Sequence, residues 1–137
     1  MWSQCDVASP SLDDLTSALH IDEPYSPVLV HRLADGMLAA GVAVAAISAG
    51  RHGLHVRTGS AARLRAGGSV LAPLAESWAD RALTMAPLRV GDPRTTNGAG
   101  DASTAGLLFA MTRGARMELA VSLALACSAA VIGGGSL

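Results

Sequence analysis

Hydrophobic residues between positions 28 and 40 recur at helical spacing. Val28, Leu29, Leu33, Met37 and Leu38 share one side, with His31 a less regular member of the stripe. Gly41 predicts the stop of that helix. Residues 42–47, Val-Ala-Val-Ala-Ala-Ile, then form a continuous apolar run of strand length. Such a run is typical of a parallel strand buried on both faces of a sheet. A turn follows at 48–53, and residues 55–58 alternate as a second strand that closes a hairpin. Upstream, Ser11 with Asp13 and Asp14 behind it reads as a helix entry, with Ser11 as the cap. Downstream, helices are expected over 101–113 and 117–132, with Gly114 between them. The second is nearly all apolar, so it is expected to be buried. Helix, glycine stop and buried strand make half of an α/β layer structure.

Residues 61–90 carry the least pattern. Gly67 and Gly68 mark a loop, and residues 73–85 read as a surface helix with Trp78 on its apolar side. The whole chain, 1–137, reads as a single domain.

Composition narrows the class. The chain has 137 residues, enough for one domain with a core, and is 50% hydrophobic but only 3% aromatic. Its core must be built from Ala, Leu and Val, which suits close helix–sheet packing. A net charge of −1 gives no electrostatic case for nucleic acid or for an acidic membrane surface. The two cysteines, Cys5 and Cys127, make no metal-ligand spacing, and Cys127 reads as a buried thiol in an apolar helix. No residue set reads as a metal site. The longest apolar stretch, 119–132, is too short to span a bilayer and carries two serines, Ser122 and Ser128. The N-terminal residues lack the basic start and apolar run of a signal peptide, so the cytoplasm is the expected location.

The chemistry concentrates at Thr95-Thr96-Asn97-Gly98-Ala99-Gly100-Asp101 and the small-residue helix behind it. Small residues let backbone amides approach a ligand closely. The helix start adds unpaired N–H groups and partial positive charge. Such a turn can hold an anion, most often phosphate. Asp101 then has two readings. It is a general base that accepts a hydroxyl proton during phosphoryl transfer. Or it is an N-cap or first-turn acid that only stabilises the helix.

Thr96 to Asp101, with Ala105-Gly106 in the following helix, resembles the second signature of the ribokinase family, the PfkB-type carbohydrate kinases. The resemblance implies that Asn97, Gly98, Ala99 and Gly100 form an anion hole and that Asp101 is the catalytic base. Thr95 stands where the family has an acid near its ion sites, and Asp92 is the nearest acid upstream. Residues 41–59 resemble the family's strand and turn beside the nucleotide, which makes Ser48, Gly50 and Gly53 nucleotide-side residues. Turn geometry alone also accounts for the two glycines. Arg51 and His52 read as solvated turn residues. The family's Asn near adenine aligns with Leu125.

The resemblance covers roughly residues 28–132, most of the chain, and against the family's shorter link it makes 61–90 an insertion, with a plain surface helix as the favoured alternative. It implies a partial, Rossmann-like layered α/β fold of the ribokinase type, with a central sheet flanked by helices. A complete family member is about twice this length, so the chain reads as the nucleotide-side half. Implied with it are ATP and Mg2+, a small-molecule substrate with an acceptor hydroxyl, and either a homo-oligomer or a separate N-terminal half as partner. Three further readings stay open. One is a non-catalytic nucleotide-binding or interaction fragment of such a kinase. A second is a dinucleotide-binding oxidoreductase, disfavoured because Ser103 fills the third glycine of G-x-G-x-x-G and no apolar strand directly precedes the turn. The third is a plain α/β scaffold.

Overall fold

The computed structural model describes residues 5–90 and 98–133. Four strands form one sheet in the order β1-β2-β3-β4: β1 (Val7–Ala8), β2 (Val44–Ser48), β3 (Leu54–Thr58) and β4 (Ala82–Met85). β1 runs parallel to β2, and the other two pairings are antiparallel. The apolar run at 42–47 is buried at every position, and β2 lies inside the sheet as the pattern predicts.

Alternation along β2 divides the core in two. Val44 and Ala46 join Leu54 and Val56 of β3 on one face. Ala45 and Ile47 point to the other, where they meet Leu12 and Leu15 of α1 (Leu12–Ala18) and Leu29, Val30, Leu33 and Met37 of α2 (Pro27–Ala39). α1 starts at the Ser11 cap that its sequence predicts, and α2 starts at a second serine cap, Ser26, that the pattern did not single out. Ser11 Oγ accepts from the Asp14 amide at 3.0 Å, and Ser26 Oγ accepts from the Leu29 amide at 3.0 Å. Pro27 occupies the first helical position, where its missing N–H is no loss.

The first face is covered by α3 (Ala61–Arg65), α4 (Ala75–Trp78), α5 (Ala99–Thr112) and α6 (Met117–Ile132). α5 and α6 pack closely at Gly106. A Cβ there would stand 3.0 Å from Cys127 Sγ and 3.1 Å from the Leu123 carbonyl oxygen. Cys127 itself is half-buried rather than enclosed.

Two expectations need correction. Residues 73–85 are not one helix. A 3₁₀ turn (Ala72–Leu74) runs into the short α4, and the chain then becomes β4. Its backbone is captured by the end of β3. The Asp80 amide donates to the Gly59 carbonyl at 2.8 Å, and the Arg81 amide donates to Thr58 Oγ1 at 2.9 Å. Asp80 takes a left-handed φ of 53°, which ends any helix there. This segment therefore supplies the fourth strand and, in Trp78, a fully buried core residue. Nor is α6 buried all round. Met117, Ala120, Val121, Ala124 and Leu125 face the core, while Leu119 is 57% exposed. α6 is an outer-layer helix with one packed side, so its apolar composition exceeds its burial.

Candidate functional site

The carboxyl end of β2 opens into a cleft of about 720 Å³. Ligands in open α/β sheets gather at such strand ends. One wall is the Ser48–Gly53 turn between β2 and β3. Another wall is the start of α5, with Ala99, Gly100 and Ser103, together with Leu125 and Ser128 of α6. Ser11 and Asp13 at the start of α1 also line it. Ser48, Gly50 and Gly53 thus share one cleft with Ala99 and Gly100, about fifty residues further along. Gly98 and Asp101 adjoin this wall but are not among the lining residues, and both are exposed. Asn97, like Asp92 and Thr95, lies outside the described residues.

Each wall is fixed by hydrogen bonds, one through backbone groups and the other through a side chain. The Ser48 amide donates to the Pro10 carbonyl at 3.1 Å, which joins the end of β2 to the loop before α1. Thr104 Oγ1 stands 3.0 Å from Ser9 Oγ and 3.0 Å from the Gly100 carbonyl oxygen, tying α5 to the same loop. The turn closes on itself: Ala49 N–H to Gly53 O at 2.9 Å, His52 N–H to Ala49 O at 2.9 Å, and Gly53 N–H to Gly50 O at 3.1 Å.

The glycines of the two walls have different reasons to be there. Gly53 has φ 90°, and a Cβ on it would overlap the Met85 carbonyl oxygen and come within 2.9 Å of the Met85 carbonyl carbon. The approach of β4 alone requires that glycine. Gly50 has φ 54° and open space where a Cβ would go. Gly98 is the N-cap of α5 in left-handed conformation, φ 81°, and no side chain caps the helix. The first amide of α5 with a helical acceptor is that of Ala102, which donates to the Gly98 carbonyl at 2.9 Å. The amides of Ala99, Gly100 and Asp101 come before it, at the positive end of the helix dipole. Asp101 is the third residue of α5, so the cap reading gives way and the first-turn reading remains. Gly100 also has open space at its Cβ position, although it sits inside a helix.

The structure adds residues that sequence patterns did not single out. Tyr25 and His52 both line the cleft, and their rings stack with centroids 3.6 Å apart and planes 5° apart. His52 is therefore a half-buried wall residue, not the solvated turn residue expected. Leu125, the position aligned with the family's Asn, is 7% exposed and lines the cleft. The sequence signal for Tyr25 is slight: it is the chain's only tyrosine.

Behind the stack lies His55, 5% exposed. Its Nδ1 is 3.0 Å from Thr84 Oγ1 and its Nε2 is 3.4 Å from the Tyr25 hydroxyl. Burial holds its pKa below the usual histidine value. The neighbouring His31 and, more weakly, His52 push the same way, while the His52 backbone carbonyl opposes them. The unfolded chain therefore binds this proton more readily than the folded one. Above the ordinary value of 6.5 both states leave His55 neutral. Stability should fall as pH drops below that value, until the folded pKa is passed. Thermal denaturation at pH 7.5 and pH 5.5 checks this. Wild type should lose more melting temperature over the interval than His55→Gln, and equal losses would contradict it.

No helix among the described residues is long and apolar enough to cross a membrane. Among them, too, no group of three or more His, Cys, Asp or Glu residues forms a metal cluster.

No protein-family model matches the chain, and no curated protein matches it. Solved structures share its fold. Ribokinase from Thermotoga maritima aligns with 96% of this chain and 37% of its own, at 16% identity and a TM-score of 0.67. Aminoimidazole riboside kinase from Salmonella enterica aligns with 96% of this chain and 37% of its own, at 24% identity and a TM-score of 0.65. A Burkholderia thailandensis nucleoside kinase, solved in complex with inosine, aligns with 98% and 36%, at 18% identity and a TM-score of 0.65. The chain has the fold of one part of sugar and nucleoside kinases of the ribokinase type, and spans about a third of their length.

Proposed function

We propose that this chain is the nucleotide-side part of an ATP-dependent phosphotransferase acting on a hydroxyl of a sugar, nucleoside or related small molecule. One observation carries the reading. Residues of two motif-bearing segments, Ser48, Gly50 and Gly53 of one and Ala99 and Gly100 of the other, line one cleft at the end of the sheet. In this reading Ser48, Gly50 and Gly53 border the nucleotide. The amides of Asn97, Gly98, Ala99 and Gly100 stabilise charge on the transferring phosphoryl group, and Asp101 accepts the proton of the attacking hydroxyl. The fold of the kinases above and the left-handed Gly98 that opens α5 support it.

ATP and Mg2+ fit the residues present. Mg2+ is usually held by one or two carboxylates together with substrate phosphates rather than by a protein cage. Asp13 is the carboxylate that lines the cleft among the described residues and would help hold it. When bound, ATP supplies the phosphoryl group and Mg2+ neutralises its charge. The chain's own part is positioning and proton transfer: amides at the α5 start orient the phosphates, and Asp101 takes one proton from the acceptor oxygen.

A second reading keeps nucleotide binding and drops turnover. Leu125 stands at the cleft where the family has an Asn, and the chain spans only about a third of the kinases' length. MgATP binding with no phosphate transfer to any sugar or nucleoside would favour it.

Gly100→Ala tests the site itself. Gly in a helix is less stable than Ala by about 0.5–1 kcal/mol, and open space awaits the methyl group. The variant should therefore melt at the same temperature or slightly higher. It should also bind MgATP about tenfold more weakly, because the methyl group holds phosphate away from the amides by a fraction of a hydrogen-bond length. Calorimetric titration reads the affinity. Unchanged binding would remove the α5 turn from the site.

A further inference from the structure

The turn that walls the cleft has glycines at both ends, Gly50 and Gly53, each at positive φ. Glycine leaves the backbone more freedom than any other residue. Three short backbone bonds close the turn, and all three lie within it. What ties it to the rest of the molecule on the α2 side is a contact chain through side chains. Arg51 Nε donates to His52 Nε2 at 3.4 Å, and the His52 ring lies flat on Tyr25. The Tyr25 hydroxyl meets Nε2 of His55 at 3.4 Å, and His55 Nδ1 meets Thr84 Oγ1 on β4.

Tyr25 is itself held at both ends. Its backbone immediately precedes Ser26, the cap of α2. Its hydroxyl is fixed by His55, which is anchored in β3 between Ile47 and Thr84. A ring so constrained can restrain a partner at little further entropic cost, and two rings lying flat on one another are in van der Waals contact over a whole face.

We propose that Tyr25 is a positioning residue of the cleft. It holds the Gly50–Gly53 turn in the conformation that receives a nucleotide, by stacking on His52 and bonding to His55. The proposal rests on the nucleotide reading of that cleft for what is bound, and on ring geometry for what does the holding. The stack is the main restraint. The hydroxyl bond, at 3.4 Å, is long and contributes less.

The test compares Tyr25→Leu, which removes the ring, with Tyr25→Phe, which keeps the stack and loses only the hydroxyl. Amide hydrogen exchange is followed at Ala49, His52 and Gly53, and at Ala46 and Val56 in the core. MgATP affinity is measured in parallel. Tyr25→Leu should speed exchange of the three turn amides by about tenfold while the core amides stay protected, because the turn opens as a local unit. Its MgATP affinity should fall by about tenfold. Tyr25→Phe should stay within about twofold of wild type in both measurements, since the stack survives. Turn exchange unchanged in the Leu variant would overturn the proposal. So would core amides that speed up in step with the turn, since Tyr25 would then be only a general stabiliser. Wild type that fails to bind MgATP would remove the nucleotide reading instead, and the exchange measurements would still decide whether Tyr25 holds the turn.

Discussion

Trp78→Ala should destabilise the fold by about 3–5 kcal/mol, the usual cost of truncating a buried Trp. Trp78 is fully buried in the larger of the two cores, among side chains that include Leu64, Leu74, Val56 and Met117. Its indole Nε1 donates to the Ala115 carbonyl at 2.9 Å, across the link between α5 and α6. Its own carbonyl accepts from Thr58 Oγ1 at the end of β3. The residue thus joins the sheet, α4 and the α5–α6 pair. With typical domain stabilities of about 5–15 kcal/mol, the loss is a large fraction of the total. Urea denaturation followed by far-UV circular dichroism measures it, because the variant removes one of two tryptophans and alters the fluorescence itself. The midpoint should fall with the slope unchanged. Trp78→Phe should lose less, since one ring still packs there, although the other ring and the indole hydrogen bond go. A Trp78→Ala loss below about 1 kcal/mol, no more than an ordinary surface change, would contradict this account of the core.

That residue also marks where the sequence stopped being readable. The elements on the α2 side were legible because local pattern and burial agree. Residues 42–47 are apolar without a break and are buried on both faces. The helix before them has a cap, a proline at its first position and a periodic apolar stripe. β4 has no such pattern. Only Leu83 and Met85 turn toward the core, and the strand exists because Thr58 and Gly59 capture the backbone at Asp80 and Arg81. That pairing joins residues more than twenty positions apart, so no local window contains it. The glycines show the same limit. Gly53 and Gly50 look alike in sequence, yet the Met85 carbonyl requires the first and nothing crowds the second. Residue types alone pointed to Ala99 and Gly100, which line the cleft, and to Asp101, which is exposed and not among its lining residues. They did not point to the Tyr25–His52 stack, because it joins a loop before α2 to a turn after β2.

If the chain, together with whatever supplies the rest of the kinase, transfers phosphate as proposed, Asp101→Asn should lower the rate by on the order of a hundred- to ten-thousand-fold, the usual cost of losing a positioned base. Asn keeps the size and much of the hydrogen bonding but cannot take a proton from the acceptor hydroxyl. MgATP affinity should hold or rise slightly, because a negative charge beside the phosphates has gone. Position 101 is well placed to separate these effects. It is exposed, and the cap of α5 is Gly98, so it is not the cap residue, and among the described residues no side-chain capping bond is made at this helix start. The fold should lose only the interaction of one first-turn carboxylate with the helix dipole, about 0.3–1 kcal/mol. If Asp101 served the helix alone, Asn and Ala would both show that small loss, and turnover would match wild type. Steady-state assay of ADP release with a sugar or nucleoside that wild type phosphorylates gives the rate, and calorimetry gives the affinity. The expected pattern is a collapse of kcat with binding retained. A normal kcat in the Asn variant would remove Asp101 as the base. It would leave the α5 turn, if Gly100→Ala still weakens MgATP, as an anion site in a chain that binds nucleotide without using that carboxylate.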